Sequence, residues 1–410
     1  MSASTSAPPR TLRIAIVCMH TSPTAMPGSP DAGGMNVVIL NTALALAARG
    51  HTVDLVTRRS DPDSLASFVV VPGIMLHLLN AGPAEHVTKS AHEELIPDFT
   101  ASLDTWVKKR VGTDQAPDLL HSEHWFSGVA ALPVATEHGL PHVQSFHSIA
   151  AAAGAGLDEG EPPESPGRNA GEALAAERSD LVIAVSSAER DTIVERLGAS
   201  PERIRIVNPG VDTEQFHPLT DEEPQPGREY LLFAARLERL KGVDLAIRTL
   251  AAMPESDRPN LVIAGEAAPD FRDYVDELDA LAVSLGVAHQ VLHMGTQSRE
   301  DLARLLRGAR LLLNPSYSET YGLINLEAAA SGVPVIATRA GGMVESVVDG
   351  ETGVLMTGRD PEDWARAVGQ VRNDAARHAL MRSAGRAFAR EHTWAHAAEA
   401  TERCYAELLS

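Results

Sequence analysis

The stretch TLRIAIVCMHTSPTAMPGSPDAGGMNVVILNTALALAARG, residues 11–50, opens on a β-branched apolar run and closes on one rich in Ala and Leu. The first part reads as a buried strand and the last as a helix. Between them DAGGMN, residues 31–36, sets Gly33 and Gly34 at the expected helix start. Glycine lets a backbone approach a ligand closely and take positive φ. A helix start presents unpaired N–H groups and a partial positive charge. Together they predict an anion site that needs no basic side chain. On its own, a glycine pair reads as a tight turn with a helix cap, and the GxGxxG spacing of a dinucleotide site is absent.

The same alternation runs through the chain. LRIAIV is followed by TVDLVTR, DLLHS, HVQSF, DLVIAVS and IRIVNPG, with Ala-rich segments between them. A second series comprises YLLFAARL, NLVIAG, QVLHMG, RLLLNPS, VPVIAT and TGVLM. Strands alternating with helices predict an α/β fold of parallel sheets wrapped by helices. The acidic, proline-rich PLTDEEPQPGRE, residues 218–229, separates the series as a linker, so two doubly wound domains of similar size are expected. Their ligands belong at the carboxyl ends of the strands. The biased segment 151–168, AAAGAGLDEGEPPESPGR, reads from composition as a solvated loop, with a lid beside His147 as the sharper alternative.

The formal charge of −20 comes from 35 basic and 55 acidic residues, which argues against nucleic acid or an anionic membrane as the main partner. Cys18 and Cys404 fit no metal or redox spacing, and Cys18 reads as a buried thiol. Residues 1–10 lack the apolar core of a signal peptide, and no apolar run is long enough to span a bilayer. A cytoplasmic location is expected. His51, His86 and His293 read as surface histidines, and Trp125 as either a wall of the cleft or core.

Two further motifs raise the prospects of the glycine pair. ARLERLKG carries Arg236 and Lys241 just after the first strand of the second series, where a fork and a point charge can neutralise a diphosphate. SYSETYGLINLEAAASGVPVIAT carries Glu319 and Glu327, with Gly322 between them and a helix expected from near Tyr321. The apolar neighbours Leu326, Ala328 and Ala329 predict that at least one carboxylate points inward and needs a hydroxyl partner.

The E-x7-E pair, the R-x4-K pair and the glycine loop together resemble a retaining glycosyltransferase of family 4 with the GT-B architecture, over nearly the whole chain. HTSPTAMPGSPDAGGMN, HSEHWFSG, FHSIAAA and PESPGR resemble the mycothiol-pathway branch of that family, which joins N-acetylglucosamine from a UDP-sugar to 1D-myo-inositol 3-phosphate. The resemblance implies two Rossmann-like domains facing across a cleft. Residues 1–212 plus 393–410 form the acceptor-side domain, and residues 213–392 bind the nucleotide sugar. It implies that Gly34, Arg236 and Lys241 meet the donor diphosphate, that Glu319 meets the donor sugar and that Glu327 meets the ribose. Gln297 lies by the base, and Met26, Pro27, Tyr321, Gly322 and Leu323 complete the donor site. His147 lies at the sugar near the reacting carbon. His20, Asp31, Ala32, Gly33, Met35 and Asn36 line the acceptor pocket, with Lys89, His124, Ser148 and Arg168 at the acceptor phosphate. A homodimer is also implied.

The sequence departs from the family at three of these places. The family's HSHYW reads HSEHW here, so His124 stands where Tyr is usual; Ser148 replaces Thr, and Met26 replaces Gln. His124 and Ser148 still donate hydrogen bonds, whereas Met26 has no amide. A paralogue using another nucleotide sugar, such as GDP-mannose, or another cyclitol remains an alternative. So does a sugar-nucleotide epimerase or sensor on the same scaffold. A lipid-directed enzyme would need a basic amphipathic face, which MNVVILNTALALAARG lacks. No Asp-x-Asp stands in a strand-end loop, DPD at 61–63 reading as a surface turn, so neither a metal nor another cofactor is expected. Retention is usually explained by double displacement; the family's favoured picture is front-face attack, and the sequence leaves both open.

Overall fold

Two sheets, each with its first strand at the centre, organise the chain. The computed structural model describes residues 10–25, 33–152, 154–223, 227–267 and 272–410. The first sheet comprises β1 Arg13–Val17, β2 Thr52–Arg58, β3 Ser67–Val71, β4 Ile74–Leu79, β5 Leu119–Glu123, β6 His142–Ser145, β7 Leu181–Ala184 and β8 Ile204–Ile206, in the order β3-β4-β2-β1-β5-β6-β7-β8. The second comprises β9 Tyr230–Ala234, β10 Asn260–Ala264, β11 Val291–Gly295, β12 Leu311–Asn314, β13 Val335–Thr338 and β14 Gly353–Met356, in the order β11-β10-β9-β12-β13-β14.

Pairing is parallel except between β3 and β4. Parallel strands are covered by helices on both faces, which is why they read as unbroken apolar runs. The sequence reading missed the β3–β4 hairpin. Its first strand is a largely exposed edge, so it carries no burial pattern, although Gly73 in the connecting Pro-Gly takes φ 88°.

Helix Gly34–Ala48 packs on one face of the first sheet, where Val37, Ile39 and Leu46 meet Ile14 and Ile16. The last helix, Trp394–Leu408, lies beside it and adds Trp394, Ala398 and Tyr405 to the same core. The preceding helix, Ala375–Glu391, packs instead on helix Leu323–Ala330 of the second half. The chain therefore passes between the halves twice, and the two passages touch. The Val211 N–H donates to the His392 carbonyl at 2.9 Å, and Val211 and Thr393 form a bridge.

In each sheet the chain winds outward from the first strand, returns, and winds the other way. That reversal falls between β1 and β5 and between β9 and β12, and the crevice outside such a point is where open α/β sheets take ligands. Both cysteines are free and buried. Among the described residues no helix is long and apolar enough to cross a membrane.

Candidate active site

The loops leaving β1, β5, β6, β9 and β12 converge on a cleft cavity of about 390 Å³ between the two sheets. On the first side, the Asn36 amide ties the loop after β1 to the helix that follows. Its Nδ2 donates to Thr21 Oγ1 at 3.0 Å and the Ser22 carbonyl at 2.8 Å, while its Oδ1 accepts from the Gly33 N–H at 3.0 Å. Neither Gly33 nor Gly34 takes positive φ, contrary to expectation. What glycine contributes there is room: a Cβ on Gly34 would lie 3.5 Å from Leu323 Cδ1, so two helix starts approach across the cleft.

The second helix start is where positive φ is needed. Gly322 caps helix Leu323–Ala330 at φ 87°. Gly341 and Gly342 brace the loop behind it, the Gly342 N–H donating to the Glu319 carbonyl at 2.9 Å. A Cβ on Gly342 would fall 2.0 Å from the Thr320 carbonyl oxygen. The Tyr321 ring is buried in the second core, so this residue meets the cleft chiefly through its backbone.

Lys241 and Glu319 form an ion pair at 2.9 Å, and Ser316 Oγ donates to the same carboxylate at 3.2 Å. Burial works against the Lys241 charge, but the Glu319 carboxylate outweighs it and raises the ammonium pKa. Arg236 pairs with Glu238 at 2.9 Å. Glu327 is buried and pairs with Arg299 Nη2 at 2.7 Å, which bears out an inward carboxylate but supplies a guanidinium, not a hydroxyl. It sits one turn into its helix. Gln297 lines the cleft with its amide on the Met294 carbonyl at 2.7 Å.

On the first-sheet side, His147 Nε2 meets Glu123 Oε2 at 2.6 Å. Burial depresses the imidazolium, yet the Glu123 charge and hydrogen bond prevail and raise its pKa. His124 opens helix His124–His138 at φ 69°, with the His20 ring centroid 4.4 Å away. Burial, reinforced by cations including Lys89, drives both rings well below the usual histidine range, so both are neutral. Neither ring nitrogen of His124 has a hydrogen-bond partner among the described residues.

Arg168 corrects the reading of a residue placed at the acceptor phosphate. It is fully buried at the start of helix Arg168–Arg178 and does not line the cavity. Its Nε pairs with Glu172 at 2.7 Å, its Nη1 with Glu164, and its Nη2 donates to Ser148 Oγ at 3.0 Å. Ser148 is the group that reaches the cavity. Lys89 lines it as well, 3.9 Å from Glu164. Trp125 is core, donating to Glu164 at 2.7 Å. His51 is also buried, accepting from the Leu12 N–H at 3.1 Å, because it closes the end of helix Gly34–Ala48 against the last helix.

The segment 151–168 is not simply solvated. The Ala151 N–H donates to the Glu161 carbonyl at 2.7 Å, and Ala150 pairs with Glu161. This fold-back sets the Glu161 carboxylate in the cleft, 3.8 Å from Arg236 and 4.0 Å from Arg168. Burial alone would raise its pKa, but Lys89, Arg236, Arg168 and Lys241 together lower it to about 2.

The cleft thus gathers His147, Glu319, Arg236, Lys241, Gly34, Gln297, Tyr321, Gly322, Leu323, Glu327, His20, Gly33, Met35, Asn36, Lys89, His124 and Ser148. Met26, Pro27, Asp31 and Ala32 lie outside the described residues. The sequence reading missed Glu123, Glu161 and Arg299. Glu123 lay inside the quoted HSEHW, and Arg299 stands two residues after Gln297; Glu161 left no signal. Among the described residues, the one group spaced to hold a metal is Asp104, Glu137 and His138, none of which lines the cleft.

Two helix starts, an ammonium and a guanidinium make this cleft suited to a diphosphate, and its carboxylates suited to neighbouring hydroxyls. Comparison with known proteins points the same way. Residues 219–388 match the model of the glycosyl transferases group 1, and residues 33–210 match that of the glycosyl transferase 4-like domain. The chain is 34% identical over 416 residues to the D-inositol 3-phosphate glycosyltransferase of Stackebrandtia nassauensis, covering 97% of this chain and 92% of that one. It is 36% identical over 365 residues to the protein of the same name from Mycobacterium sp. strain JLS, covering 87% and 81%. Among solved structures, the sucrose-phosphate synthase of Thermosynechococcus elongatus superposes with a TM-score of 0.86 at 26% identity, over 97% of this chain and 99% of that one.

Proposed function

The chain belongs to the group 1 glycosyl transferases with GT-B architecture, and from that premise we propose transfer of N-acetylglucosamine from UDP-GlcNAc to a cyclitol phosphate such as 1D-myo-inositol 3-phosphate, with retention of configuration. The observation that carries this reading is the meeting of two helix starts with Lys241 and Arg236 in one cleft. A sugar nucleotide reacts by loss of its diphosphate, and fixed positive groups aimed at that developing charge lower the barrier. In this reading Gly34, Gly322, Arg236 and Lys241 receive it without a divalent cation. Glu319 and Glu327 accept hydrogen bonds from the sugar and ribose, Gln297 lies by the base, and His147 orients the sugar at the reacting carbon.

Three carboxylates at the cleft have cationic partners: Glu319 has Lys241, Glu327 has Arg299 and Glu123 has His147. That pairing favours front-face attack, in which the departing phosphate takes the acceptor's proton, over a double displacement that needs a carboxylate nucleophile. His20, His124, Ser148 and Lys89 shape the acceptor side, with Arg168 holding Ser148. Homodimer formation belongs to the same reading.

One observation favours a second acceptor. The cations on the acceptor side already face Glu161, Glu164 and Glu172, and His20 and His124 are neutral, which suits an unphosphorylated cyclitol. A matrix of UDP-sugars against inositol phosphates and free cyclitols, with products identified by mass, tests both readings. UDP released only when acceptor is present, with a disaccharide-like product, is the expected result. Donor conversion independent of acceptor, or UDP-sugar binding without turnover, would leave an epimerase or a sensor instead.

A further inference from the structure

His147 and Glu123 form a pair that the assignment of His147 to the donor sugar does not by itself require. Glu123 ends β5 and His147 follows β6, the next strand in the sheet, so the two loops hold them side by side. Their contact is 2.6 Å between Nε2 and Oε2, with both side chains less than a tenth exposed. His147 takes φ 61°, a left-handed conformation uncommon for a non-glycine residue. Its carbonyl accepts from Thr320 Oγ1 at 3.0 Å, across the cleft.

Behind Glu123 the network continues inward. Its Oε1 lies 3.7 Å from His121 Nε2, and His121 Nδ1 meets Tyr405 Oη of the last helix at 2.7 Å. The titratable groups facing His147 are Glu123 and His121 from β5, Glu189 from helix Ser187–Leu197, His20 beyond β1 and His124. Burial lowers the pKa of His121, His20 and His124. Burial raises the Glu189 pKa despite His147 nearby. Glu123 is lowered in spite of its burial, by His121 and His147. The charges are thus divided one way: a carboxylate at Glu123 and its counter-charge on His147.

We propose that Glu123 is a positioning residue that holds His147 as an imidazolium of fixed orientation. With Nε2 committed to Glu123, the ring presents the cleft with a charged N–H donor, not a basic nitrogen. This deepens the glycosyl-transfer reading, on which its catalytic consequence rests: His147 can donate to an oxygen of the donor, and cannot take a proton from the acceptor.

The sign follows from the raised pKa. The imidazolium is present below the folded-state pKa and is lost as pH rises through it. Titration of His147 by hydrogen–deuterium exchange at its ring carbon, read by mass spectrometry, needs no substrate and so stands apart from the assignment of function. The wild-type midpoint is expected above the usual histidine value of about 6.5. In Glu123→Gln it should fall by about 1–2 pH units, as loss of an adjacent opposite charge does. Glu123→Asp should restore most of the shift. The alkaline limb of the transfer rate should move down with it, with kcat reduced about tenfold and donor KM changed less than about threefold. A purely structural Glu123 would lower activity at every pH and leave that limb in place. A wild-type midpoint at or below 6.5 would overturn the proposal even if Glu123→Gln failed to fold; so would a limb that stays fixed in a folded variant.

Discussion

Lys241 and Glu319 hold each other 2.9 Å apart at the edge of the cleft cavity. Lys241→Ala removes a cation aimed at developing charge, and Glu319→Ala removes the carboxylate that holds that cation in place; loss of one such stabilising group slows turnover by about 10²–10³-fold. Both variants should retain wild-type circular dichroism, since neither side chain belongs to a core cluster. Glu161 makes the opposite prediction. Its carboxylate sits among four cations, two of which the diphosphate would also use, and its pKa of about 2 keeps it ionised throughout neutral pH. Glu161→Gln should tighten UDP binding by about 1 kcal/mol, roughly fivefold, at every pH between 6 and 8 in calorimetric titrations. Weaker binding in the variant would mean that Glu161 serves chiefly to orient Arg236. At this scale the sequence was legible where spacing and strand ends coincided, as with Arg236, Lys241, Glu319 and Glu327. Glu161 was illegible because nothing in an acidic, proline-rich run says that it turns back onto a strand end, and Arg168 was misplaced because its counter-charges Glu164 and Glu172 come from that turn and the helix after it.

The elements that matter most are two helix starts, and their glycines answer to different constraints. Gly34 faces open cleft, and an added methyl would make only an ordinary contact with Leu323 at 3.5 Å. Gly34→Ala should therefore leave stability within about 0.5 kcal/mol of wild type while slowing transfer at least tenfold, by standing between backbone amides and phosphate. Gly342 is the converse. A methyl 2.0 Å from the Thr320 carbonyl must displace backbone, so Gly342→Ala should cost about 1–3 kcal/mol in urea unfolding as well as activity. Both helix starts were visible in the sequence as glycine ahead of an Ala- and Leu-rich run. The brace at Gly341 and Gly342 was not, because close approach of two backbones leaves no mark in either segment alone. The β3–β4 hairpin escaped for a related reason: an exposed edge has no hydrophobic alternation to read.

Across the whole molecule, two alternating series announced two sheets, and that much followed from periodicity. How the halves meet depends on single polar contacts that periodicity does not encode. Glu345 of the second half accepts from the Ser187 N–H at 2.6 Å and from Asn208 Nδ2 at 2.8 Å, both of the first half. Glu345→Ala should loosen that arrangement and raise the nucleotide-sugar KM by about three- to tenfold, with a smaller effect on kcat, in steady-state assays. The two passages of chain between the halves do not part in this way. Val211 and Thr393 are pinned together, and a Cβ on Gly210 would lie 2.3 Å from the Thr393 backbone, so the strands cannot slide past each other. We expect the touching passages to serve as the hinge of any opening of the cleft: spin labels should report displacements that grow with distance from residues 210 and 393 and vanish beside them.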